Sequence, residues 1–440
     1  MKELFFDLAD RAVSALRGNE FLIANFAGEV SDFVRFNKAR VRQAMTIKQA
    51  HLTLTLIEGN RHATVCFALS SDRATDRAAV DAVIAELRAD LPTLPEDPYL
   101  LYATTVNSSQ AVRAGVLPHA AAAIDTVVEG AGSTDLVGIL ASGPVFRGFA
   151  NSAGQRNWHA VDCFNFEWSL YHAQDKAVKS AYAGTHWSRP EALQRIATAR
   201  TRLDYLARPP KVIAPGVCRA YLAPAALDEL LWMLNWGGVS AKSQQTKQSP
   251  IQRLVEQDAR LSERVHLREN IGGGLAPAFD AAGFVRPATV DLIKEGRHAG
   301  ALVSPRTARE YGIEANGARD DEAMQAMELG GGTLAEADAL SALDKGVYVG
   351  NLWYLNYSDR PNGRITGMTR FGTFWVEDGR IVAPLAVMRF DDSLFRMLGD
   401  NLVDFTRERE WIVNSGTYNQ RSIETSRVPG TLLSALHFTL

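Results

Sequence analysis

From Gly346 the chain reads GVYVGNLWYLNY, and from Ile365 it continues ITGMTRFGTFWVEDGRIVAPL, a β pattern punctuated by glycine. Val347, Val349, Leu352 and Leu355, with aromatic Trp353 and Tyr357, fit one strand. Asp378-Gly379 makes a hairpin turn flanked by Phe374, Val376, Ile381 and Val382. Alternation sends Tyr348 to one face and Val347 and Val349 to the other, so one face packs a core and the opposite face stays available. A hairpin of this kind can offer an edge or an inner wall to an extended peptide, with main-chain hydrogen bonds for affinity and side-chain pockets for preference.

The first half is organised differently. Leu4, Phe5, Leu8, Ala12, Val13 and Leu16 recur at helical spacing up to Gly18. From Glu20 to Leu69 the pattern alternates, most cleanly over His51 to Ile57, and Glu58-Gly59-Asn60 supplies a turn, which predicts antiparallel hairpins. Helical spacing returns over Asp76 to Asp90 and stops at the prolines 92, 95 and 98. Further helices are predicted over Pro118 to Glu129 and Pro190 to Leu206, with strands over Leu136 to Leu140, Val145 to Phe149 and Trp158 to Phe166. Arg208-Pro209-Pro210 ends a helix and is stiff enough to space two domains. The fold class is therefore α+β. Antiparallel hairpins and helices form an N-terminal α/β domain over 1–208, and a β-rich, barrel-like C-terminal domain follows over 209–440.

A chain of 440 residues exceeds what one core usually supports, which agrees with two domains. A formal charge of -3 gives no basic field for nucleic acid and no polybasic run for a membrane surface. No window approaches ~18 uninterrupted apolar residues, and Lys2, Glu3 and Asp7 do not follow a signal-peptide layout. Cys66, Cys163 and Cys218 are too far apart for a disulfide framework or a zinc clip. A reducing cytoplasm is the expected home.

Four stretches, in order, resemble the TldD/PmbA family. SDFVRFNKARVRQ from Ser31 to Gln43 is similar to the family's N-terminal strand pair with its arginine-phenylalanine step. Asn151-Ser152-Ala153-Gly154 is similar to its asparagine-serine-x-glycine turn. Ala278-Phe279-Asp280 with Ala282-Gly283, then Asp291 to Gly296, resembles a third motif. Gly346 to Val349, Thr366-Gly367, and Glu377 to Ile381 with Pro384 resemble a fourth. The resemblance implies peptide chemistry, since catalytic members are zinc peptidases carrying histidine-glutamate-x-x-x-histidine on a helix early in the second domain and a cysteine ligand near the C-terminus.

Both ligand sources are missing from this sequence. The matching helix, Pro224 to Trp236, has no histidine; none lies between His186 and His266, and no cysteine follows Cys218. Asp228 and Glu229 remain on that helix, where carboxylates alone suit zinc poorly and a solvated turn favoured by the helix dipole is the simpler reading. Other constellations weigh against chemistry. His159 and Cys163 lie four apart in an alternating segment, ~13 Å along a strand, which is too far to share one ion with each other or with His172. Ser152 lacks the glycine of a nucleophile elbow, because Ala150 stands there. Gly272-Gly273-Gly274 lacks a following Gly-Lys-Ser/Thr. Lys242 to Arg253 reads as a mobile surface loop.

By resemblance, then, the chain is expected to be a PmbA (TldE)-like, non-catalytic subunit with no cofactor of its own. Its expected partners are a TldD-like zinc peptidase that carries the zinc and extended peptide substrates. A homodimer is possible by the same resemblance; nucleic acid and membrane are not expected partners. The candidate substrate or partner surface comprises Tyr348, Asn351 and Trp353, with Asn151 and Ser152 of the turn. Two other readings stay open: a self-sufficient homodimeric hydrolase with an unrecognised site, and a regulatory binding protein of the gyrase-modulator type.

Overall fold

The computed structural model describes residues 1–173 and 176–439. An amphipathic helix, α1 (Lys2–Ser14), opens the chain and buries Phe5, Leu8, Ala9 and Ala12. Three strands follow, β1 (Phe21–Asn37), β2 (Arg40–Glu58) and β3 (Arg61–Ala68), and then α2 (Arg73–Asp90), capped by the Asp72 carboxylate accepting from Thr75 N. After β4 (Ser109–Arg113) and α3 (Ala120–Ala131) come the long strands β5 (Asp135–Asn151) and β6 (Arg156–Ala173), β7 (Lys176–Gly184) and α4 (Arg189–Leu206). The first sheet runs β3-β2-β1-β5-β6-β4, with β7 also on β6. Helices α1 and α2 cover part of it through Phe26, Leu52, Leu54, Leu56 and Trp158, while α3 and α4 close a second core around Phe164, Phe166 and Trp168.

The predicted strands over 136–140 and 145–149 are one strand, because Gly143-Pro144 interrupts only one of its two ladders. The pairing of β5 with β6 continues through both residues, whereas that with β1 skips from Val145 opposite Glu29 to Ser142 opposite Asp32. Proline has no N–H to donate, and the skipped rung is where none is needed. Gly143, at φ 145°, brings its Cα so close to Val30 O that an added Cβ would sit 2.0 Å away. The guanidinium of Arg421, from a loop 278 residues on, binds at this irregularity. It donates to Gly143 O at 2.9 Å, Ser31 Oγ at 3.2 Å, and Cys163 O and Sγ at 2.7 and 3.1 Å.

The second sheet is built from β8 (Gly216–Leu222), β9 (Leu267–Glu269), β10 (Val290–Lys294), β11 (Arg297–His298), β12 (Ala326–Leu329), β13 (Gly346–Val349), β14 (Leu352–Asp359), β15 (Arg364–Thr369), β16 (Thr373–Glu377), β17 (Arg380–Pro384), β18 (Arg389–Ser393), β19 (Leu402–Val413) and β20 (Thr425–Phe438). Its main path, β11-β10-β9-β12-β20-β8-β13-β16-β17, has two free ends and branches at β20, so the expected barrel-like closure is replaced by an open, branched sheet. The expected single strand 346–357 breaks at Gly350-Asn351 into β13 and β14. β13 is central, parallel to β8 and antiparallel to β16, and all four of its residues are buried. Val347 and Val349 enter the core of the second sheet, while the opposite face, with Tyr348, is largely covered by the core shared with α3 and α4. Helix α5 (Pro224–Trp232) follows β8 directly, with Pro224 at its first position. Residues 242–253 are only partly a surface loop: Lys242 and the run Gln245 to Gln248 are exposed, but α6 (Ala241–Gln245) and α7 (Gln252–Val255) flank buried Ser249, Pro250 and Ile251.

Arg421 is 3% exposed, and its backbone N–H also reaches Glu29, which is fully buried. Arg421→Leu should cost about 2–4 kcal/mol, because several buried acceptors lose their charged donor at once. Arg421→Lys should recover only part of this, since an ammonium cannot reproduce the guanidinium fork. Chemical denaturation of the three proteins checks both values.

Candidate functional site

Between the two sheets lies a cavity of about 450 Å³, within the usual size of a small-ligand or side-chain pocket. One wall is α5. Its apolar residues Ala226, Leu227, Leu230 and Leu231 point into the core of the second sheet, which leaves Asp228, Glu229 and Trp232 on the cavity side. The floor is the pair Tyr221 and Tyr348 from neighbouring strands β8 and β13, stacked at 5.5 Å between ring centroids. Gly430 lets this happen: a Cβ there would stand 1.9 Å from Tyr221 Oη. Asn351 closes one side from the break between β13 and β14, and Glu167 and Lys179 come from the first sheet. Arg202 of α4 lies 5.2 Å over the Tyr348 ring. Glu336 and Glu410 complete the lining.

Asp228 is 7% exposed, so the solvated-turn reading does not hold; the helix faces a partly enclosed cavity, not bulk water. Its Oδ1 has no hydrogen-bond partner among the described residues, and the neighbouring Trp232 indole donates to Ser426 Oγ at 3.1 Å instead. Burial raises the Asp228 carboxyl to about 7, with Ser426 and Trp232 pulling it partly back. Burial also raises Glu229 to about 7; Lys179 opposes this and the charges of Asp228 and Glu167 add to it. Glu336, at the rim, is raised by burial and then by Glu410. The cations are unevenly committed. Lys179 pairs with Glu167 at 3.2 Å, and Arg195, just outside, pairs with Glu410 at 2.6 Å.

A second cavity of about 250 Å³ adjoins the first through shared residues Asn165, Glu167, Asn414 and Ser415, and extends along β5 and β6 to Arg35 and Tyr171. Its outer wall is the loop that carries Arg421.

Tyr348 and Asn351 thus meet in the main cavity. Trp353 does not line it; it is 41% exposed, with Arg370 stacked 4.2 Å from its ring centre. Asn151 and Ser152 lie elsewhere and hold a turn. Asn151 donates to Ala103 O and accepts from Gln155 N, and Ser152 Oγ accepts from Leu22 N. The cavity meets β6 at Asn165, opposite Ala141, so Asn151 is roughly 33 Å farther along β5. His159, in β6, is spent on Leu275 O at 2.8 Å, and burial lowers it to about 4. Sequence reasoning missed Tyr221, Arg202, Glu336 and Glu410. They come from four separate segments with no common spacing, so only the fold assembles them.

Among the described residues, no three His, Cys, Asp or Glu side chains converge closely enough to hold a metal ion. The donors that face the cavity are carboxylates and phenols, with no imidazole or thiolate, a set that does not fit a zinc centre.

The sequence profile of the PmbA/TldA metallopeptidase C-terminal domain matches residues 215–439, just over half of the chain. The chain belongs to the PmbA/TldD family. No curated protein matches it. Among solved structures it is similar to a protein of Thermotoga maritima MSB8 described as a candidate modulator of a DNA gyrase, with a TM-score of 0.77 at 13% identity, covering 99% of this chain and 100% of that one. It is also similar to TldE from Thermococcus kodakarensis, with a TM-score of 0.76 at 14% identity and all of both chains covered. A third, from Bacteroides thetaiotaomicron VPI-5482 and described as a candidate modulator of DNA gyrase, gives 0.72 at 13% identity, covering 100% of this chain and 98% of that one. At these identities the likeness is one of fold.

A carboxyl raised in the folded state binds protons more tightly there than in the unfolded chain. Its contribution is therefore full below the unfolded value and is lost as pH climbs to the folded one. For Asp228 that window runs from its ordinary value of 3.8 to about 7. Parent stability should decline across it relative to Asp228→Asn, and the variant should be more stable at pH 8 by about 1–3 kcal/mol. His159 has the opposite slope, so the quantity to read is the difference between the two proteins in urea unfolding at pH 5 and pH 8.

Proposed function

We propose that this chain is the non-catalytic, PmbA (TldE)-like subunit of a heteromeric zinc peptidase, closing a chamber and holding extended peptide beside a separate TldD-like subunit that carries the zinc. The observation that carries the reading is α5. On the family pattern this helix bears the paired histidines and the glutamate base; here the same wall of the cavity offers Asp228 and Glu229, with the stacked tyrosines opposite. What remains is a shaped, partly enclosed space with polar walls, suited to holding a chain and poorly suited to activating a zinc-bound water. The names of the metallopeptidase domain profile and of the Thermococcus structure support the assignment to this system. Processing of peptide precursors and turnover of antitoxins are the activities that follow from it.

A second reading draws on one specific observation, the two carboxyls at about 7 in a cavity, values suited to acid–base work. It would make the chain a hydrolase by itself. The two are separated by one preparation. The purified full chain should retain far less than one zinc per chain after dialysis and should not cleave an unfolded reporter peptide, and cleavage should appear when a histidine-bearing family member is added. One tightly held zinc per chain overturns the proposal; chelator-resistant cleavage by the chain alone, lost in Asp228→Asn, favours the second reading.

A further inference from the structure

The lining of the main cavity is unbalanced in charge. Five carboxylates face it (Glu167, Asp228, Glu229, Glu336 and Glu410) against two cations, Lys179 and Arg202. Lys179 is held by Glu167, and Glu410 is held by Arg195. Arg202 is then the one lining cation, among the described residues, left for Asp228, Glu229 and Glu336. A carboxylate that is 93% removed from solvent and has an oxygen without a partner is costly unless something in the space compensates it. A metal ion is a poor candidate, since the carboxylates do not converge on one point. The floor points elsewhere. The Tyr221–Tyr348 stack lies beside the carboxylates, and the 5.2 Å approach of Arg202 to Tyr348 shows that this aromatic floor tolerates a guanidinium, so the space suits an organic cation drawn in by the carboxylates.

We propose that this cavity is a receptor for one cationic group of an extended peptide, a lysine or arginine side chain or the amino terminus, seated between the Asp228–Glu229 edge of α5 and the Tyr221–Tyr348 stack. The rest of the peptide leaves through the adjoining second cavity, past Asn165 and Asn414, which both cavities share. The peptide identity of the ligand rests on the function proposed above; the preference for a cation rests on the cavity alone. The basic residue or terminus would replace the missing countercharge and regain in charge-assisted hydrogen bonds what Asp228 lost on burial. In a peptidase pair, this position would select where along a substrate the chain is gripped, and the cut would fall at a set distance from a positive charge.

The test uses the purified full chain at pH 8 and low salt, with binding read by calorimetry. Three probes are compared: acetyl-Ala-Ala-Lys-Ala-Ala-amide, the same peptide with norleucine for lysine, and the norleucine peptide with a free amino terminus. The lysine peptide should bind about tenfold tighter than its neutral counterpart. Tighter binding of the third probe than of the acetylated norleucine peptide would assign the site to the amino terminus. The combined variant Asp228→Asn, Glu229→Gln should bring all three affinities within about twofold of one another. Equal binding of charged and neutral peptides by the parent overturns the proposal, and so does a charge preference that survives in the variant. If the variant fails to fold, the comparison of probes on the parent still decides. A charge preference without any stimulated cleavage by a histidine-bearing family member would retain the receptor and discard the subunit reading. Stimulated cleavage without a charge preference would do the reverse.

Discussion

The break that Gly143 and Pro144 make in the ladder between β1 and β5 is met by a side chain from the far end of the chain, and much of the arrangement depends on that contact. Arg421 reaches the backbone of β5 and β6, the hydroxyl of Ser31 and the thiol of Cys163 with a single planar fork. It stands in the segment between β19 and β20, and the same segment carries Asn414 and Ser415, which wall both cavities. Asn165 adds a second tie from β6, donating to Val413 O at 2.8 Å. The position of the second sheet against the first, and so the width of the space between them, is set by hydrogen bonds whose geometry tolerates little sliding. The apolar core shared by α3, α4, Tyr221, Tyr348 and Phe374 is less directional and supplies bulk adhesion.

Within that frame the cavity holds its charges at a disadvantage. Ordinary evolution of a core would replace an unpartnered buried aspartate with something apolar, at little cost or with a gain. Here two adjacent acidic residues sit on the cavity side of an otherwise apolar helix, and both are shifted upward by the loss of water. Retaining them makes physical sense if the space is filled for part of its working cycle by a group of opposite sign.

Most of the secondary structure was legible because it rests on local pattern. The periodicity of α1, α2 and α4 and the alternation in β2 are strong, and the family motifs survive in order. The errors have physical causes. The sequence pattern breaks β5 at Gly143-Pro144, and only the tertiary pairing shows that the lost rung concerns β1 alone, where Arg421 binds Gly143 O. Alternation gives Tyr348 a free face because it reports two faces without saying what covers each; packed cores lie on both, and Tyr348 keeps only its contact with the cavity. Asp228 and Glu229 carried the right position but the wrong environment, since a helix pattern cannot show that its polar side meets a cavity and not the solvent. Glu336, Glu410, Arg202 and Tyr221 had no sequence signal, as each is an ordinary residue in its own segment.

The β1–β2 hairpin extends well beyond β3, whose pairing with β2 covers only His51 to Glu58. From Arg40 to Gln49 strand β2 has β1 on one side and no strand on the other among the described residues, and nearly all of its side chains are exposed. A bare row of backbone donors and acceptors about ten residues long is the shape on which a foreign strand would nucleate. What guards it is the sequence itself: Arg40, Arg42 and Lys48 place like charges along the margin, so that a second copy laid antiparallel would bring cation against cation. The arm can therefore stay extended in solution, and its guard is selective by sign. A strand rich in aspartate or glutamate meets no such repulsion there, which makes the surface charge of this hairpin a filter on the company the protein keeps.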